Sequence, residues 1–475
     1  MPANLFARLR ALQRNARLYL LSNMLQAVTA GAIGVLYTLY LSALGYGTDF
    51  IGLVAVIGTI GAGLGILPAN RLVAKLGWRA TLIWSNLVGG VAIAAQLVAP
   101  LPAVIVVTTV GIGASVALVL VVNTPLLTAY SAPEQRTALF GLNNALVFLA
   151  TVVGSLLGGV LPEWFIRADM QGSAVLRALD PLLVPGAQAR AYELALVVMG
   201  AIALPSIVPI LLMHEERTEI ITTEGAEITE GEKETHRPDT PSEVGGSAWE
   251  GTHVAQPQRS GKRNRGRKAA ANAWRVTWRE QTVRQALAMW VAARGVIGRF
   301  AVTQGLVGFG AGIFFPYVNL YFVNRLGASP AYFGALSAAL AVVVAGASLV
   351  AAPLARHLGT IRSAIAAQVA SLPCLLAIGA FPLLGIASLT YLLRGGLMGL
   401  TGPPLQTYLM EAVPERQRVP ASSAYNVSFQ VSWALGAGFG GWLITLAGYR
   451  APFLAAAPFY ALSAVLLAIW FGRRR

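Results

Sequence analysis

Ala150-Thr-Val-Val-Gly154-Ser-Leu-Leu-Gly158-Gly159 and Ser432-Trp-Ala-Leu-Gly436-Ala-Gly-Phe-Gly440-Gly441 are one pattern written twice, 282 residues apart. Each is uncharged and places three glycines at the same positions of an apolar run. The same shift aligns Leu44 with Leu326, Gly45 with Gly327, Gly52 with Gly334, Leu76 with Leu358, Gly77 with Gly359, Gly113 with Gly395 and Asn144 with Asn426. Seven of the 16 glycines between residues 44 and 161 land on glycine, against about 1.7 expected from 50 glycines in 475 residues, so the chain is internally repeated.

The runs around these glycines are too apolar for a water-soluble fold. Hydrophobic residues make up 56% of the chain and charged ones 12%, roughly half the charged share of a soluble domain. A spanning helix needs about 20 mainly apolar residues. Twelve segments of that kind occur, at 18–44, 50–70, 80–99, 102–130, 137–161, 191–213, 297–324, 332–355, 363–384, 386–411, 419–446 and 451–472. Their unbroken apolarity predicts helices, which satisfy their own backbone in lipid, and excludes barrel strands, which alternate. The first run lacks a small-residue cleavage site and is read as a retained span, not a signal peptide.

The net charge of +15 would suggest nucleic acid in a soluble protein, but its placement points to membrane orientation. With the amino terminus inside, the termini and short inner loops hold 15 Lys and Arg, and the outer loops hold five: Arg167, Arg177, Arg190, Arg325 and Arg450. Both termini are therefore expected in the cytoplasm, in a multi-pass protein of the inner membrane. Residues 214–294 interrupt the apolar pattern: 11 of the 20 acidic residues lie between Glu215 and Glu250, and a basic run from Lys262 to Lys268 follows. We read a cytoplasmic linker there, with an interfacial helix from Trp274 to Arg294 meeting membrane lipid. The predicted domains are 1–213 and 295–475, each a six-helix bundle, with 214–294 between them.

The shift carries each of the matched spans onto the span six places later. Six is even, so both halves keep one orientation, which defines a parallel repeat about an axis along the membrane normal. Two such bundles can rock against each other and expose a shared site to each side in turn. That predicts a transporter. A multispan enzyme would need a clustered outer-face site, yet Asp49, Glu163 and Asp169 are scattered and the four histidines lie in the linker or loops. The single cysteine, Cys374, excludes an intrachain disulfide and a cysteine-based metal site, and no cofactor is expected. A channel is disfavoured because no filter or charged ring is present.

At these residues the chain resembles the major facilitator superfamily of secondary transporters, over nearly everything except the linker and the loop from Glu163 to Arg190. Asn70-Arg-Leu-Val-Ala-Lys75-Leu-Gly77-Trp-Arg79 is similar to that superfamily's loop signature after the second span, with Lys75, Gly77 and Arg79 matching and Ala74 in place of its aspartate. Pro133-Glu134-Gln-Arg136 and Pro414-Glu415-Arg416-Gln-Arg418 resemble its loops after the fourth and tenth spans. Ala150 to Gly159 looks like the fifth-span signature of its antiporters, with Ser155 where proline is usual. The resemblance implies a 12-helix fold, a small-molecule substrate, a central cavity lined by the first, fourth, seventh and tenth spans, and a lean towards efflux by antiport in a monomer.

Polar residues inside spans are costly and tend to face an interior or a water path. Asn23, Gln26, Asn123, Gln304, Asn319, Arg394 and Gln406 lie in those four spans, and Asn144 and Asn426 match across the repeat. These are the candidate substrate contacts. Arg394 is the one strongly ionised side chain well inside a span, either a binding point for an anionic group or a guanidinium held at the bundle interface. Tyr37, Tyr40, Tyr317, Tyr321, Phe314 and Phe315 are candidates to line an aromatic cavity. Gly154, Gly158, Gly159, Gly436, Gly440 and Gly441 are expected to let helices approach closely. Proton coupling requires a titratable carboxyl, and no acidic residue falls mid-span; Glu411, at the inner end of the tenth, is the candidate. A facilitator without ion coupling is the alternative.

Overall fold

The computed structural model describes residues 14–130, 136–170, 183–213 and 295–472. Among them the chain forms helices and turns and no strand. The first half runs α1 (Arg14–Ala43), α2 (Thr48–Val98), α3 (Pro102–Ala129), α4 (Arg136–Met170), α5 (Ala187–Ala203) and, after a 3-10 turn, α6 (Ile207–Leu212). The second runs α7 (Val296–Phe314), a 3-10 turn, α8 (Val318–Leu320), a π turn (Tyr321–Arg325), α9 (Pro330–Leu358), α10 (Thr360–Ala380), α11 (Leu384–Gly399), α12 (Gly402–Ala412), α13 (Arg418–Ala447) and α14 (Ala451–Phe471). The linker and its expected interfacial helix lie outside the described residues.

Among the described residues, ten helical segments are long and apolar enough to cross a membrane. The other two expected spans fall short for visible reasons. The tenth is interrupted between α11 and α12 at Leu400 and Thr401, and the eleventh, α13, carries Ser422, Ser423, Tyr425, Asn426, Ser428, Gln430 and Ser432 in its first half.

Several boundaries differ from the sequence reading: α1 starts at Arg14 where 18 was expected, and α4 runs on to Met170 where its span was expected to end at 161. The stretch 70–79, expected as a loop, is helical within α2, and only Gly77 leaves helical geometry (φ 84, ψ 162). One residue with positive φ reverses the chain where a loop was expected, and only glycine takes that conformation without strain. Its repeat partner Gly359 (φ 87, ψ 147) divides α9 from α10 in the same way. The sixth span begins at Ala187, four residues before the expected 191, because the polar residues Gln188 and Arg190 occupy its first turn.

The repeat is physical as well as textual. α1 packs on α4, and α7 packs on α13. A Cβ on Gly154 would collide with the Val28 carbonyl, and one on Gly158 would lie 2.8 Å from Ala32 Cα. In the second half Gly436 and Gly440 meet the carbonyls of Phe309 and Ile313 in the same manner. Without a hydrophobic drive between helices in lipid, such backbone proximity is what holds the pairs. Large apolar side chains such as Val98 (83% exposed) and Leu349 (80%) remain on outer faces, as lipid contact requires.

Each half has its own buried cluster. The first gathers Leu36, Tyr40, Ile105, Tyr192 and Leu196; the second gathers Phe314, Tyr321, Phe322, Tyr391, Phe453 and Tyr460. Among the described residues, Tyr317, Leu320 and Ile444 of the second half join the first cluster, and Val35 of the first half joins the second.

Candidate substrate path between the two halves

The halves meet at the end that carries the turns 44–47 and 326–329. There α4 lies against α9 and α2 against α13, two contacts related by the internal repeat. Ser155 and Gly159 face Gly334 in the first pair, and Ala437 and Gly438 face Gly52 in the second. A Cβ on Gly334 would come within 2.5 Å of Ser155 O, and one on Gly52 within 2.7 Å of Ala437 O.

Hydrogen bonds reinforce this seal. Thr48 Oγ1 donates to Gly441 O at 2.9 Å, Ala331 N–H donates to the Glu163 carboxylate at 3.1 Å, and Asn324 Nδ2 donates to Ser42 Oγ at 3.2 Å. Asn319 Nδ2 donates to Val35 O at 3.0 Å and to Thr38 Oγ1. These hydrogen bonds between the halves all fall at this end. Tyr46, in the turn after α1, donates to Pro100 O at 2.5 Å, and burial pushes its phenol pKa up.

Toward the opposite end the two repeat-related contacts diverge. Asn144 stands 11 residues before Ser155 on α4, about three turns, and therefore on the same helix face. Asn426 stands in the same relation to Ala437 on α13. Both asparagines are exposed, on faces that meet the other half three turns away. Asn426 Nδ2 bonds its own helix at Ser422 O, 2.9 Å away. At the open end, Gln406, Thr407, Met410, Glu411 and Arg418 line a cleft of about 480 Å³.

The remaining candidates have partners within their own half. Asn23 Nδ2 donates to Asn143 Oδ1 at 3.0 Å, Gln26 Nε2 to Ser22 Oγ at 3.3 Å, and Tyr19 OH to Asn123 Oδ1 at 2.8 Å. Gln304 is buried. Arg394, read from the sequence either as a binding point for an anionic group or as a guanidinium held at the bundle interface, sits among aromatic side chains of the second half. It is 6% exposed, with its guanidinium carbon 4.6 Å from the Phe314 ring centre and 4.7 Å from that of Tyr460.

The aromatic residues are mostly packing. Tyr40, Tyr317, Tyr321 and Phe314 are almost fully buried, and Tyr37 OH donates to Gln96 Oε1 at 2.7 Å; of the six, Phe315 is the exposed one. In the loop motif, Arg79 Nε donates to Ile210 O at 3.2 Å and Nη2 to Leu211 O, so the cation caps the carboxyl end of α6, where carbonyls lack partners. Lys75 is exposed, and Arg418 pairs loosely with Glu415 at 3.7 Å. Glu134 and the side chains of Arg136 and Arg416 lie outside the described residues.

Sequence reasoning passed over Gln96, Asn143 and Glu193. Gln96 is 2% exposed and its amide donates to Thr108 Oγ1 at 2.8 Å and Thr109 Oγ1 at 3.1 Å. Glu193 is 3% exposed and its carboxylate accepts from Val184 N–H at 2.9 Å. The earlier start of α5 turns this acid from a helix-end residue into the seventh of its helix.

Replacing Asn319 with leucine should loosen the seal, because Val35 O and Thr38 lose a donor across the halves. We expect separation of the halves to become easier by about 1–3 kcal/mol. The check is the disulfide yield of a Thr48→Cys, Thr445→Cys pair, whose hydroxyls stand 3.3 Å apart. The yield should fall, and an unchanged yield would show that Asn319 does not hold the seal.

The family model for the Major Facilitator Superfamily matches residues 19–437 and 300–475. No protein of curated function matches in sequence. Among solved structures, a bacterial homologue of the human lysosomal transporter Spinster, inward-facing and unoccupied, is similar at TM-score 0.69 and 13% identity, covering 96% of each chain. A D-xylose-proton symporter is similar at TM-score 0.62 and 14% identity, covering 99% of this chain and 98% of that one. The nucleoside transporter NupG is similar at TM-score 0.62 and 10% identity, covering 97% of this chain and all (100%) of that one. At these identities the neighbours speak for the fold, and the family match spans nearly the whole sequence. The exclusion of an enzyme stands, and the chain belongs to the major facilitator superfamily.

Proposed function

We propose that the chain is a secondary active transporter that moves a small molecule across the inner membrane by alternating access, with six-helix bundles 1–213 and 295–475 as the rocking bodies. The observation that carries this is the pair of repeat-related contacts, α4 on α9 and α2 on α13, closed at one end while Asn144 and Asn426 stand exposed on the same faces three turns away. A symmetric pair of contacts that can part together is what rocking about the pseudo-twofold axis requires.

The Lys and Arg distribution supports a cytoplasmic position for both termini, and with it a crevice open to the cytoplasm. Asn23, Gln26, Asn123, Gln406 and the two repeat-related asparagines supply its polar lining. The antiporter-like series Ala150 to Gly159 supports export by proton antiport in a monomer, with Glu411 in the open cleft as the coupling carboxyl. A facilitator is the second reading. It is favoured by Glu193, the one carboxyl sunk deep in a described helix, being already bonded to a backbone amide.

Spin labels on cysteines at Leu44 and Leu326, in a Cys374→Ser background, report the sealed end, and labels at Asn144 and Asn426 report the open end. Pulsed dipolar spectroscopy in lipid should give two distance populations at each end, with the long distance at one matched to the short distance at the other. A single unchanging distance at both ends across pH and lipid composition would contradict alternating access.

A further inference from the structure

Arg394 is a guanidinium cation only 6% exposed within α11, the first part of the interrupted tenth span. Burying such a charge is costly unless it is paired. From residue 295 to 472 the chain contains two carboxylates, Glu411 and Glu415, both exposed and at the far end of α12, and neither pairs with Arg394. The second half therefore holds no internal counter-ion for this cation.

Two ring faces, those of Phe314 and Tyr460, flank the guanidinium and offset part of its lost hydration. They leave its edges unused. Among the described residues neither Nε nor Nη2 has a hydrogen-bond partner, and both are fully buried. These two nitrogens form one edge of the guanidinium, on which two N–H bonds run parallel. That edge is the fork which matches a carboxylate or phosphate with two bonds at once. Flanking aromatic faces fix the plane of the fork, so little ordering remains to be done when an oxyanion arrives.

Position supports the same reading. Phe314 is the last residue of α7, directly before the 3-10 turn Phe315–Tyr317, and α11 breaks at Leu400 and Thr401 a turn and a half beyond Arg394. Irregular backbone within a membrane bundle is tolerated where it is buried in protein or lines a path. Arg394 thus lies between two interrupted helices, close beneath the sealed end where Val35 of the first half joins the same cluster.

We infer that the Nε–Nη2 edge of Arg394, held between Phe314 and Tyr460, is the binding point for the carboxylate or other oxyanion of an anionic transported solute. The inference rests on the transport reading above and narrows its substrate class to organic anions.

Thermal unfolding of the purified full-length protein tests it, with benzoate, succinate and inorganic phosphate as probes and benzamide and succinamide as uncharged controls. At least one anion should raise the unfolding temperature saturably, and its amide should not. Arg394→Lys keeps the charge but not the fork, and should weaken the half-saturating concentration about tenfold or more. Arg394→Met fills the gap between the rings without a charge. It should abolish the anion response and unfold, without anion, no lower than the parent, because an unpaired buried charge has gone.

No response to any of the three anions, an equal response to the amides, or a response that survives Arg394→Met would overturn the inference. A lower anion-free unfolding temperature in Arg394→Met would also overturn it, in favour of a purely structural cation. Should anion binding be absent while the spin-label distances still alternate, the role of Arg394 fails and the transport reading stands.

Discussion

Valine at Gly154 or at Gly436 is expected to leave no folded monomer. At Gly154 the first added carbon already overlaps the Val28 carbonyl, and at Gly436 that of Phe309. These obstacles are backbone, so no rotamer change relieves them, and α1 must move away from α4, or α7 from α13. Overpacking of a core costs about 1–3 kcal/mol even where side chains can yield, and forcing two helices apart costs more. Against a total stability of about 5–15 kcal/mol, a loss of several kcal/mol in one half suffices to prevent folding. Size-exclusion chromatography of a fluorescent fusion should show aggregate where the parent gives a symmetric monomer peak. A monodisperse variant with the parent's unfolding temperature would show that these contacts do not hold the halves.

The opposite outcome is expected one helix face away. Gly159 and Gly334 pack on each other across the seal, where a Cβ on Gly159 would lie 2.7 Å from Pro330 O and 3.0 Å from Gly334 Cα. Neither clash falls within a half, so each half should fold normally after Gly159→Val or Gly334→Val. The sealed end, however, cannot close. We expect a monomer that unfolds within a few degrees of the parent and populates only the long Leu44–Leu326 spin-label distance. A state that costs several kcal/mol to form is depleted by about a hundredfold or more, and flux through the cycle falls with it. Transport of any identified substrate in proteoliposomes should drop to the background of empty vesicles. Retained transport would place the alternation elsewhere than at this seal.

The two predictions separate glycines that look alike as letters. Gly158 and Gly159 are adjacent in one apolar run and both match across the repeat, yet one meets α1 and the other meets α9. Successive helical residues point about 100° apart, so neighbours in sequence are assigned to different partners by the placement of helices they never pair with locally. The same is true of Asn143, which bonds Asn23, and Asn144, which stands exposed on the face turned to the other half.

The helical, membrane-spanning, doubled character of the chain was legible without coordinates. In lipid every backbone group must be satisfied within its own helix, so span length and apolarity can be read locally, and a parallel repeat survives as glycines in register. Partner choice is not local. That Glu193 is buried, that the seal closes at the end bearing Gly45 and Gly327, and that Arg394 turns into an aromatic core without a counter-charge emerged only once the helices were packed, because burial and pairing belong to the register between distant segments.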